Sequence, residues 1–155
     1  MPDAKPIRVY ADTSVFGGCF DTEFQWASGR FFQEVREGRI RLVVSDTTLL
    51  ELTEAPERVR RLLADLPTDS LERFFVGEDT ERPRDAYLAH GVVGPASSRD
   101  AEHIAAATVA NVDMIVSWNF KHIVHYEKIS GYQGVNLLVG YSAIRIFSPL
   151  EVIEP

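Results

Sequence analysis

Short apolar runs of strand length alternate along this chain with longer stretches in which bulky side chains recur among charged ones. IRVYA (7–11), IRLVVS (40–45), DMIVS (113–117) and AIRIFS (143–148) are the short runs, and the apolar stretch of each is ended by a polar residue. FQWASGRFFQEVREG (24–38) predicts a helix in which Phe24, Trp26, Phe31, Phe32 and Val35 supply the bulk, ending near Gly38. TTLLELTEA (47–55) predicts a short helix stopped by Pro56, and PERVRRLLADL (56–66) another with proline in its first turn. TERPRDAYLAHG (80–91) and the Ala-rich SRDAEHIAAATVANV (98–112) predict two more, while ERFFVGE (72–78) reads as a short strand or an irregular segment.

Strands separated by helices imply an α/β protein, here a three-layer α/β/α sandwich around a central, mainly parallel sheet. With 155 residues and no repeat or long linker, the chain is expected to form a single domain over residues 1–155. The formal net charge of −7 argues against a protein that grips nucleic acid by its overall field. It leaves room for local basic patches or for cations that neutralise an acidic cleft. One cysteine, Cys19, excludes an internal disulfide and suits a reducing compartment. No apolar run reaches membrane-spanning length, so no membrane association and a cytoplasmic location are expected.

In open α/β sheets, ligands bind beyond the carboxyl ends of the strands. Asp12 sits where the first strand ends, Glu51 on the helix entered from the second, and Asn119 two residues past DMIVS. Asp100 lies in the first turn of the helix that leads into that last strand. Three acids and an amide can therefore converge on one sheet edge. Each has an ordinary alternative: Asp12 as the cap of a helical turn beginning at Thr13, Thr48-x-x-Glu51 and Ser97-x-x-Asp100 as capping boxes, and Asn119 as a turn initiator. Placement alone leaves both readings open.

The segments VYADTSVFGG, VVSDTTLLELTEAP, SSRDAEHIAAATVANVDMIVSWNFKHI and IRIFSP together resemble the PIN-domain family of metal-dependent ribonucleases, in its toxin-like branch. The resemblance runs from about residue 7 to 150. It implies a PIN-like sandwich in which Asp12, Glu51, Asp100 and Asn119 form the catalytic set, with Asp12 and Asp100 as metal ligands. Asn119 stands where the family often has Asp, so the slot keeps an oxygen but loses a charge. The implied cofactor is Mg²⁺ or Mn²⁺, the substrate single-stranded RNA cut to a 5′-phosphate and a 3′-hydroxyl, and the further partners an antitoxin protein and a second copy of the chain. The residue types suit the chemistry, because Mg²⁺ takes hard oxygen ligands, often one or two carboxylates with several waters, and such ions promote attack of water on phosphodiesters.

Two other functions compete. One is a catalytically weakened PIN-like module that binds RNA or protein without cutting. The other, phosphate transfer through an Asp nucleophile, is disfavoured by Ser14, where such enzymes usually carry a second Asp. Ser14 and Ser117 are read as rotamer-fixing partners of the carboxylates or as cap and turn residues. His103 is read as a packed or hydrogen-bonded histidine, and His122-x-x-His125 as a weak metal pair. Glu54 is expected to be solvated, Trp118 and Phe120 to pack in the core, with base stacking by one of them as the alternative, and Arg58, Arg61 and Lys121 to lie on the surface near the cleft mouth.

Overall fold

A computed structural model describes residues 5–154. Five strands, β1 (Ile7–Ala11), β2 (Ile40–Ser45), β3 (Leu71–Phe74), β4 (Met114–Val116) and β5 (Ile146–Phe147), form one sheet in the order β3-β2-β1-β4-β5. Every pairing is parallel. Alternation along β1 sends Val9 and Ala11 into one apolar cluster and Tyr10 into the other. The first cluster is completed by α1 (Thr13–Gly18), α2 (Gln25–Arg36), α3 (Asp46–Thr53) and α4 (Glu57–Ala64). The second is completed by α5 (Glu78–Ala89), α6 (Ser98–Val109) and α7 (Tyr126–Leu138). The result is a three-layer α/β/α sandwich with β1 at its centre. Phe31 and Phe32 on α2 are fully buried, and burial of each contributes about 1.5–3 kcal/mol. Among the described residues no helix is long and apolar enough to cross a membrane.

The predicted strands and most of the predicted helices recur within a few residues of their expected bounds. The uncertain 72–78 segment divides into β3 and an irregular bend before α5. Two helices were not predicted. The first is α1, which the sequence offers only as a capped turn. The second is α7, whose sequence YEKISGYQGVNLL carries two glycines and exposes Leu137 and Leu138, which hides its apolar stripe. Its start is capped by His125, whose Nδ1 accepts from the Glu127 N–H at 3.3 Å, so His125 serves a helix end rather than a metal pair with His122.

Gly131 explains how α7 seats. A Cβ there would lie 2.9 Å from Cγ1 of Val92, whereas one at Gly134 meets nothing within 4 Å. Gly131→Val is therefore expected to cost about 1–3 kcal/mol through overpacking. Gly134→Ala should instead gain about 0.5–1 kcal/mol from helix preference. Urea melts of both variants check this pair, and equal effects of the same sign would refute it.

Candidate functional site at the switch point of the sheet

The chain runs outward from β1 through β2 to β3, then returns to place β4 on the other side of β1. The direction of winding reverses between β1 and β4, and open α/β sheets bind ligands outside the carboxyl ends of strands at such a switch point. Asp12 leaves β1 there, held by its own N–H to the Val116 carbonyl at 3.2 Å. Ser117 leaves β4 directly opposite.

Asp12 occupies the N-cap position of α1, yet its side chain makes no capping bond. Its carboxylate accepts from Ser14 Oγ at 2.5 Å and from Ser117 Oγ at 2.7 Å. Ser14 also accepts from the Trp118 N–H at 2.8 Å, and Ser117 from the Asn119 N–H at 2.9 Å. The loop after β4 is thereby fastened to the start of α1, and the Asp12 carboxylate is locked between them. Burial pushes its pKa up, helped by the charge of Asp100 and opposed by His103 and the two serines.

Neither predicted capping box forms around the other two acids. Ser45, not Thr48, caps α3, accepting from the Thr48 N–H at 3.4 Å, which leaves Glu51 free to turn inward. Ser97 occupies the N-cap position of α6 without a side-chain capping bond, and Asp100 accepts instead from Asn119 Nδ2 at 3.2 Å. Burial also raises the Asp100 pKa and Glu51 adds to the rise, against His103, His122 and the Asn119 bond. Asn119 does initiate a turn: its Oδ1 accepts from the Lys121 and His122 N–H groups at 3.2 and 2.9 Å. Those two donors fix the amide's orientation, so its nitrogen faces Asp100. The expected oxygen at this position is spent on the turn.

Glu51 is treated differently. Its Oε1 accepts from Thr13 Oγ1 at 2.6 Å and lies 2.6 Å from His103 Nε2. Burial opposes its charge, but the His103 bond and charge, the Thr13 bond and Arg99 together hold its pKa below the usual carboxylate range. His103 is fully enclosed, which disfavours its charge. Tyr10, the Glu51 bond and the Asp12 and Glu51 charges outweigh that cost and push its pKa up to about 10. As an imidazolium it donates from Nε2 to Glu51 and from Nδ1 to the Tyr10 hydroxyl at 2.6 Å, which is 2.6 Å from Ser45 Oγ. A buried polar chain therefore runs from the end of β2 through β1 and α6 to Glu51.

His103 is hydrogen-bonded as expected from the sequence. Thr13, Tyr10 and Ser45 were not singled out there, although a tyrosine in the central strand needs a polar partner for its hydroxyl when buried. Glu54 lies exposed at the end of α3, as expected. Arg61 pairs with Glu57 on the surface, and the Arg58 guanidinium stacks 5.0 Å above the Phe20 ring. Trp118 is buried, but Phe120 departs from expectation, with 47% of its surface exposed.

The four predicted residues thus gather at one sheet edge in two hydrogen-bonded groups, Asp12 with the serines and Asp100 with Asn119, while Glu51 is braced by His103. Among the described residues neither Asp12 nor Asp100 forms an ion pair with lysine or arginine. No set of three or more His, Cys, Asp or Glu side chains among them is arranged to hold a metal ion. The donors nonetheless suit a hard cation that binds through one or two carboxylates and completes its shell with water. A cavity of about 240 Å³ lies at the opposite end of the sheet, beside Asn111, Asp113 and Arg145, and contains none of these groups. Comparison with protein-family models and with curated proteins finds no match to this chain.

Proposed function

We propose that the chain is a divalent-metal-dependent endoribonuclease of the PIN-like, toxin-like type that its sequence resembles. The observation that carries the reading is a buried carboxylate, Asp12, fixed by two serines at the switch point with Asp100 near enough to raise its pKa. Two desolvated like charges that no lysine or arginine pairs, with the nearby His103 already engaged by Glu51 and Tyr10, are an arrangement that a cation relieves.

Asp12 and Asp100 would hold Mg²⁺ or Mn²⁺. When bound, the ion supplies an activated water and offsets charge on the phosphoryl oxygens. Ser14 and Ser117 keep Asp12 in one rotamer, and Asn119 does the same for Asp100 through its amide nitrogen. Glu51 stays ionised and has Oε1 saturated by Thr13 and His103. Oε2 is left to orient the attacking water and accept its proton. The resemblance extends the proposal to single-stranded RNA as substrate, an antitoxin protein, a homodimer and a cytoplasmic setting.

The second reading, an RNA- or protein-binding module without cleavage, draws on Asn119, which brings an amide where a further carboxylate would strengthen metal binding. One assay separates the two. Purified protein is incubated with mixed single-stranded RNAs in Mg²⁺ or in EDTA, and the products are resolved on a denaturing gel. Divalent-dependent cleavage is the expected result. RNA left intact under both conditions would refute the nuclease reading.

A further inference from the structure

We propose that Phe120 is a stacking platform for an unpaired base of the RNA held at this site, an inference that rests on the ribonuclease reading and adds how the strand is recognised. Phe120 directly follows Asn119, whose amide touches Asp100, so one short loop carries both the ring and the residue that holds Asp100. Nearly half of the residue faces solvent, so ring surface is open to a ligand.

The ring has a rigid backing. Trp118 is buried, donates from Nε1 to Ser28 Oγ at 2.8 Å, and is stacked on Phe24 with 4.2 Å between centroids and 19° between planes. Phe120 leans on both, 6.1 Å from Trp118 and 6.3 Å from Phe24. Gly18 permits this packing, because a Cβ there would come within 2.7 Å of the Trp118 nitrogen. The loop carrying Phe120 is bolted to Ser14 and Ser117 by the Trp118 and Asn119 N–H groups. The platform is therefore fixed relative to Asp12 without a ligand, and little ordering cost remains for binding.

The neighbouring charge favours a nucleotide over a purely apolar partner. Lys121, next in the chain, is exposed and can meet a phosphate while the adjacent ring meets the base. Stacking needs an unstacked base, so the platform selects single strands over duplex.

The test is fluorescence anisotropy with a labelled single-stranded RNA in Ca²⁺, comparing the wild type with Phe120→Ala and Phe120→Tyr, beside an RNA of the same length carrying abasic ribose positions. Phe120→Ala should weaken binding about tenfold, and Phe120→Tyr should restore it. The wild type should bind the abasic strand as weakly as the alanine variant binds the intact one, and a duplex more weakly than the single strand. Equal affinity of wild type and Phe120→Ala, or no binding of single-stranded RNA by the wild type, would overturn the proposal. Failure of the nuclease reading looks different: platform-dependent binding persists, but Mg²⁺ produces no cleavage.

Discussion

Asp12→Asn and Asp100→Asn are each expected to lower divalent-dependent RNA cleavage by at least about a hundredfold, because loss of a partner one shell further from a metal already costs ten- to a hundredfold. Both substitutions keep side-chain size while deleting a charge. The Asp100 variant carries a second, opposite signature in stability. A carboxyl with a raised folded pKa binds more protons in the folded chain than in the unfolded one, so stability falls as pH rises from its ordinary 3.8 through the raised value. Above that window the whole penalty is present. Without metal at neutral pH, Asp100→Asn should therefore melt higher than the wild type, and the gap should close as pH falls through the same window. Single-turnover cleavage in Mg²⁺ and melting in EDTA read the two effects separately. Wild-type cleavage rates in both variants would remove these residues from the chemistry and point to a contaminating nuclease.

Asn119→Asp is expected to reverse the balance. The two N–H groups of the turn retain one carboxylate oxygen. The other takes the place of the amide nitrogen, 3.2 Å from Asp100 Oδ1, so a hydrogen bond becomes a contact between like charges. Two unit charges about 4 Å apart interact by roughly 4 kcal/mol at an effective dielectric of 20. The Asp100 carboxyl is partly exposed, and solvent reduces that figure to about 1 kcal/mol. The variant should melt several degrees lower in EDTA and gain more from Mg²⁺ than the wild type does, as linkage to binding requires. Melting titrations across Mg²⁺ concentration decide the matter. An unchanged response to Mg²⁺ would place residue 119 outside the ion's reach.

The sequence disclosed the skeleton because parallel strands buried on both faces are short, apolar and bounded by polar residues, as IRVYA and IRLVVS are. It located Asp12, Glu51, Asp100 and Asn119 through their positions relative to strand ends. It could not separate capping from site roles for Glu51 or Asp100, since Ser45 displaces Thr48 as a cap only once the exit of β2 is folded. α7 stayed hidden because Gly131 answers to Val92, a residue of a distant loop. The bracing of Glu51 by His103 spans 52 positions, and the direction of the Asn119 amide depends on backbone donors of its own turn. These are tertiary facts with no local signature.

The strand order also has a consequence in time. Asp12 needs Ser117, and Asp100 needs Asn119, so the site draws on both ends of the chain. Synthesis at about 5–20 residues per second delivers Asn119 roughly three to fourteen seconds after Glu51. During that interval β1, β2 and β3 can already pair, but Asp12 and Asp100 lack their partners from the loop after β4. A nascent chain therefore carries no assembled site until β4 has emerged and docked beside β1.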